Sequence, residues 1–212
     1  MRDYSLSFTA ASLMVHETEQ ILSLYQEHKD WDIVGKLVID DNYLQKGTIS
    51  TRKREFVELK KRLIGLDDNW INFSKNATRD EMKLFTLFLC AKTYRLIYEF
   101  LSEVVKMKLL SYDYQILNSD YERFIQAKMA SSAKLQSCTE STINKIKQVI
   151  FKILEQATLI DNVRAKNIQR PFISQELINV VLKTDPKYLA SLMLSDTDII
   201  NLARELKSTT SP

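Results

Sequence analysis

A chain of 212 residues with 45% apolar and 27% charged side chains is long enough to bury one substantial core or two small ones, which excludes a disordered or fibrous protein. Its longest apolar stretch, Leu84 to Ala91 with Thr86 inside it, falls far short of the roughly 20 residues that cross a bilayer, so it reads as a core helix. The net charge of +3 is too small to name a partner until it is divided along the chain.

Three glycines, Gly35, Gly47 and Gly65, are too few and too dispersed for a phosphate-cradling loop or a dinucleotide fingerprint. His16 and His28 are the only histidines and read as surface residues near helix ends, while Cys90 and Cys138 read as buried thiols without metal-ligand spacing. No catalytic set, metal site or cofactor is therefore expected. The N-terminus, Met1-Arg2-Asp3-Tyr4-Ser5, has no apolar run of the secretory kind, so a cytoplasmic protein without membrane attachment is expected.

Scarce Gly and Pro, with apolar residues at three- and four-residue intervals, predict an all-α protein. Ile21, Leu22, Leu24 and Tyr25 mark a first helix ending near His28. Asp30 caps a second, in which Trp31, Val34, Leu37 and Val38 face inward. After a turn at Gly47, Ser50 or Thr51 caps a third helix with Phe56, Leu59 and Leu63 on one face and Gly65 past its end. This succession predicts a helix-turn-helix-like arrangement.

Thr78-Arg79-Asp80-Glu81 reads as a capping box opening a long apolar scaffold, interrupted near Thr93 and continuing to about Leu110. A domain boundary is expected near residue 115, dividing a 1–115 helical unit from a 116–212 unit. Ser119-Asp120-Tyr121-Glu122 is a second capping box, with Tyr121, Phe124 and Ile125 on the buried side. Tyr112 and Tyr114, flanking the boundary, read as packing residues. The cleanest periodicity is Ile143, Ile146, Ile150, Ile153, Leu154 and Ala157 opposite Lys145, Gln148, Lys152 and Gln156. Residues 159–171 fit either a short two-stranded wing or a plain loop. Ser174, Asp185 with Pro186, and Ser195 with Asp198 open three short helices.

Residues 1–44 carry three basic and eight acidic side chains, whereas residues 45–64 carry seven basic and two acidic. At about 100° per residue, Lys53, Arg54, Lys60 and Lys61 share an arc of about 120° that avoids the apolar stripe. The candidate nucleic-acid contacts are therefore Lys46, Ser50, Thr51, Arg52, Lys53, Arg54, Lys60, Lys61 and Arg62. Arginines at the helix start suit base edges and the later lysines suit phosphates. The bland alternative is a solvated helix face offset by Glu55 and Glu58. A second basic segment spans residues 140–170, with Lys145, Lys152, Arg164, Lys166 and Arg170 as further candidates.

Several stretches resemble the BrxA family of BREX phage-defence proteins: Tyr4 to Thr9 (YSLSFT), Asp30-Trp31-Asp32, and Asp41 to Lys46 (DNYLQK) leading into Ser50 to Arg54 (STRKR). Ala91-Lys92-Thr93-Tyr94, Thr139-Glu140-Ser141-Thr142 and Lys147 to Phe151 (KQVIF) extend the likeness over most of the chain. The resemblance implies a small helical protein, compared with the NusB-type RNA-binding fold, that binds DNA and acts with other BREX defence proteins, among them a methyltransferase and an ATPase; the scarcity of rings in the basic segment makes double-stranded DNA the expected form. The alternatives are a protein–protein scaffold, with the acidic leading segment and the basic helix as docking surfaces, and NusB-like RNA binding.

Overall fold

The computed structural model describes residues 3–65 and 67–210, and among these the protein is all-α. The chain opens with a 3-10 turn, Ser7–Ala10, which seats Tyr4, Phe8 and Leu13 in the core; the Phe8 ring meets Tyr94 edge-on at 5.2 Å. Helix α1 spans Val15–His28 and buries Ile21, Leu22 and Leu24. Asp30 caps α2, Trp31–Ile39, by accepting from the Asp32 amide at 2.7 Å, as its sequence position predicts.

Helix α3 spans Ile49–Arg62 and is capped by Thr48, whose hydroxyl accepts from the Thr51 amide at 3.2 Å. The cap thus lies ahead of the expected Ser50 or Thr51: with hydroxyls at 48, 50 and 51 all eligible, the extended backbone of Thr48 decides the start. Gly65 follows α3 with φ of 84°, the left-handed turn that glycine adopts without a Cβ clash. Residues 40–48 connect α2 to α3, a longer link than the tight turn of a helix-turn-helix reader. The two helices pair antiparallel. At one end Arg52 on α3 reaches the Ile39 carbonyl of α2, and at the other Lys60 lies over the Trp31 ring.

Helix α4 is Asp68–Asn76, capped by Asp67, and α5 is Arg79–Thr93, opened by the Thr78–Glu81 capping box. Met82 and Leu84 to Ala91 are all buried, so α5 is wrapped on every side, which requires its sequence to be apolar almost without period. It packs against α1, against α3 and against the later helix Gln175–Thr184. Tyr94 breaks the rod where an interruption is expected; α6 (Arg95–Phe100), a π-helical turn (Leu101–Val105) and α7 (Lys106–Leu110) then continue as one run.

Helices α8 (Asn118–Met129), α9 (Ala133–Gln136) and α10 (Glu140–Gln156) follow. The Asp120 carboxylate accepts from the Leu117 amide, so the cap of α8 is Leu117, two residues before the expected Ser119. Residues 159–168 form no strand; isolated antiparallel bridges pair Ile160 with Ile168 and Gln115 with Asn167. Helix α11 is Gln175–Thr184, residues Pro186–Leu192 are 3-10 rather than α, and α12 is Asp196–Thr210.

One buried apolar cluster runs from Tyr4 to Met193, across the turn near residue 115. The Leu13 amide donating to the Gln156 side chain at 2.9 Å ties the N-terminal segment to the end of α10. Among the described residues no helix is long and apolar enough to cross a membrane. Cys90 is buried as expected, whereas Cys138 is only half-buried, with Sγ against the Lys134 carbonyl.

Candidate nucleic-acid interface

The basic candidates around α3 divide into an inward and an outward set. Arg62 is fully buried: Nε donates to Glu58 at 2.8 Å, and a terminal nitrogen donates to the Ser12 and Leu13 carbonyls at 3.0 and 2.9 Å. A guanidinium removed from water needs all of these partners, and it cannot also meet a phosphate. Lys61 donates to the Ser5 and Ser7 hydroxyls at 2.9 and 3.0 Å and lies over the Tyr94 ring. Arg52 covers the orphan carbonyls of Ile39 and Asp40 at the end of α2.

Lys46 sits 2.6 Å from Glu17 and 3.8 Å from Glu55. Burial alone pushes the Glu17 carboxyl up, but the Lys46 ammonium outweighs it and holds Glu17 below the usual carboxylate range. Lys46, Arg52, Lys61 and Arg62 are therefore structural ties, which corrects the expectation of a surface role for Arg62 and turns the other three away from a free cationic face. Lys53, Arg54 and Ser50 remain exposed, Thr51 is half-buried with its hydroxyl on Thr48, and Lys60 is half-buried over Trp31 at 5.6 Å and Phe56 at 6.0 Å.

The second basic segment is brought together more fully. Helix α10 buries Ile146, Ile150, Ile153 and Leu154, which leaves Lys145, Gln148 and Lys152 outward, as the periodicity predicts. These side chains line a groove of about 680 Å³ whose opposite walls are residues 9–12 and the turn carrying Val163 and Lys166. Val149 and Phe151 form its apolar floor. Lys147 lines the groove as well; it lies 3.6 Å from Glu122 and above the Tyr121 ring. The groove lining contains four lysines and no acidic residue.

The facing turn is stiffened by local hydrogen bonds. Asp161 accepts from the Asn162 and Asn167 amides, and the Asn162 side chain accepts from the Arg164 and Ala165 amides, both at 2.9 Å. Lys166 lies across the Phe151 ring at 5.6 Å, and its ammonium donates to the Arg164 carbonyl. Lys152 pairs with Glu155 at 2.5 Å, and that contact holds the Glu155 carboxyl low. Lys145 makes no ion pair among the described residues. Arg164 is exposed on the same turn, whereas Arg170 lies apart, in a depression with Leu110, Pro171 and Asp198.

Sequence reasoning missed the participation of residues 9–12, and it misjudged two rings. Tyr112, Tyr114 and Phe172 are 81%, 50% and 87% exposed, so the two tyrosines are not packing residues. Tyr112 sits at positive φ in the turn after α7, which points its side chain away from the helix it would otherwise cover.

Known proteins match the chain over most of its length. A BREX protein BrxA of Bacillus cereus (strain H3081.97) is 27% identical over 177 residues, 82% of this chain and 88% of that protein. A BREX protein BrxA of Escherichia coli O9:H4 (strain HS) is 23% identical over 182 residues, 85% of each. The fold is similar to that of an uncharacterized protein from Magnetospirillum magneticum, with a TM-score of 0.78 at 17% identity, over 91% of this chain and 98% of that one. The BrxA family model matches residues 2–185, and the chain belongs to the BrxA family.

Proposed function

We propose that this chain is a non-catalytic, cytoplasmic component of a BREX-type phage-defence system that binds the phosphate backbone of duplex DNA and acts beside other BREX proteins. The observation that carries this reading is the groove along α10, where Lys145, Lys147, Lys152 and Lys166 converge from a helix face and a braced turn without an acidic neighbour in the lining. Ammonium groups are point charges suited to phosphate rather than to base edges. Phe151 is buried beneath Lys166, so the groove floor offers no free ring for an unstacked base, and this favours backbone contact over single-strand stacking.

Backbone binding is read in its salt dependence. Each neutralised phosphate contributes about −0.9 to the slope of log affinity against log salt on duplex DNA, so Lys145→Glu with Lys152→Glu flattens that slope by at least one contact. An unchanged slope removes the groove from the interface. A second reading, single-strand or RNA binding, is favoured by the exposed Tyr112, Tyr114 and Phe172 rings, and it predicts tighter binding to single strands than to a duplex of equal length.

A further inference from the structure

Asn69, Asn72, Phe73 and Asn76 stand on α4 at positions i, i+3, i+4 and i+7, and Glu176, Asn179, Val180 and Lys183 repeat that spacing on α11. At about 100° per residue each set occupies an arc of about 100° on its helix. The helices run antiparallel. At one end the Trp70 indole donates to the Thr184 hydroxyl at 3.2 Å and Lys183 donates to the Asn69 carboxamide at 3.0 Å; at the other Ser174, the cap of α11, hydrogen-bonds Glu81 just beyond α4. The two arcs therefore face each other across a cleft of about 450 Å³ that shares no lining residue with the basic groove.

Phe73 and Val180 are buried and form the floor of this cleft, and all four asparagines are exposed above it. Asparagine is among the weaker helix formers, so three of them on one face of a nine-residue helix is a composition that helix stability does not select. The fold does not use them fully either. Among the described residues the Asn72 carboxamide makes no hydrogen bond, and Asn179 makes one, from the Gln175 side chain to its oxygen at 3.2 Å. The charges of the lining are separated, with Lys183 at one end and Glu81 and Glu176 at the other, so the cleft offers no continuous cationic surface to a phosphate backbone. Lys183 and Glu176 make no ion pair among the described residues.

We propose that the cleft binds an extended segment of a partner protein, with its main chain between the Asn72 and Asn179 carboxamides and one apolar side chain on Phe73 and Val180. A primary carboxamide presents an acceptor oxygen and two donor hydrogens, the complement of the C=O and N–H of a peptide group. An extended chain carries its peptide groups on two edges and its side chains on two faces. With the edges toward α4 and α11, one face meets the apolar floor and the other meets water. From Asn69 to Asn76 the helix rises about 10.5 Å, the length of three extended residues at about 3.4 Å each. Lys183 then meets a carboxylate at one end of the segment, and Glu176 meets a basic side chain at the other. This contact is independent of phosphate binding in the α10 groove.

Two capped pentapeptides serve as probes, acetyl-Asp-Thr-Val-Thr-Lys-amide and its charge-exchanged form acetyl-Lys-Thr-Val-Thr-Asp-amide, one for each direction of the chain in the cleft. Titrated into the isotope-labelled full chain and followed by NMR, one of them shifts the Asn72 and Asn179 side-chain amide resonances saturably. Methylating the central valine nitrogen of that peptide removes one N–H and weakens binding roughly tenfold. Asn72→Leu with Asn179→Leu, two exposed positions, abolishes the response of the neighbouring α4 and α11 backbone amides and leaves the rest of the spectrum unchanged. No saturable shift with either peptide, a response that survives the double substitution, or equal binding of the methylated peptide overturns the proposal. Duplex DNA that shifts the same two carboxamides overturns it as well, since the cleft is then a nucleic-acid contact.

Discussion

Glu58 and Arg62, one turn apart on α3, form an ion pair of 2.8 Å inside the protein, and the chain's N-terminal segment is hung on it. The Tyr94 hydroxyl donates to the same carboxylate, and burial together with that hydrogen bond pushes the tyrosine well above its usual range. Arg62→Leu leaves Glu58 buried without its counter-charge and the Ser12 and Leu13 carbonyls without a donor. The expected loss is about 3–5 kcal/mol of unfolding free energy, the range for breaking one side of a buried pair. Denaturant unfolding measures it, and a loss below about 1 kcal/mol, the scale of an exposed pair, contradicts the clamp.

Asp120 gives stability a defined acid limit. Burial pushes its carboxyl up, but the Leu117 amide, Lys108 at 3.0 Å and Arg123 at 2.6 Å together hold it below 3.8. A carboxyl depressed in the folded state contributes stability that is complete above its unfolded value and is lost as pH falls through the folded one. The wild type therefore loses stability from about pH 4 downward, and Asp120→Asn, already less stable at neutral pH, loses less over the same interval. Parallel acid limbs for the two proteins refute this assignment.

The exposed rings separate duplex from single-strand binding. Tyr112→Ala and Phe172→Ala remove rings that carry no groove lysine, so affinity for duplex DNA stays unchanged. If single strands are the ligand, each ring that stacks a base costs about 1–3 kcal/mol when truncated. Fluorescence anisotropy on matched duplex and single-stranded oligonucleotides reads both numbers, and a loss confined to the single strand shifts the function to the second reading.

Local signals were legible and long-range ones were not. The α10 stripe, the Asp30 cap and the Thr78–Glu81 box each depend on residues within a turn or two, and each appears where the sequence places it. The fate of the basic run depends on partners far away in sequence. Lys61 and Arg62 are claimed by Ser5, Ser7, Ser12 and Leu13, about 50 positions earlier, and the groove joins residues 9–12 to 145–152 and 163–166. One clue was local: Arg62 follows Glu58 by four residues beside the apolar Leu59 and Leu63, the spacing of an intrahelical pair at the edge of the packed face.

Gly35 tests how tightly the α2–α3 hairpin is closed. It is buried in the middle of α2, where alanine would improve helix propensity by about 1 kcal/mol. A Cβ there would stand 3.1 and 3.3 Å from two ring carbons of Phe56, closer than normal contact. Phe56 has little room to retreat, because Trp31 lies 6.4 Å away on one side and the Lys60 ammonium stands over its face. Overpacking of this kind costs about 1–3 kcal/mol and outweighs the propensity gain, so Gly35→Ala is destabilising. Phe56→Leu opens the space the methyl group needs, and in that background Gly35→Ala is neutral or stabilising. A double-mutant cycle measures the coupling. Equal effects of Gly35→Ala in both backgrounds show that the two helices are not in the close contact on which both the position of Lys60 and the outward face of α3 depend.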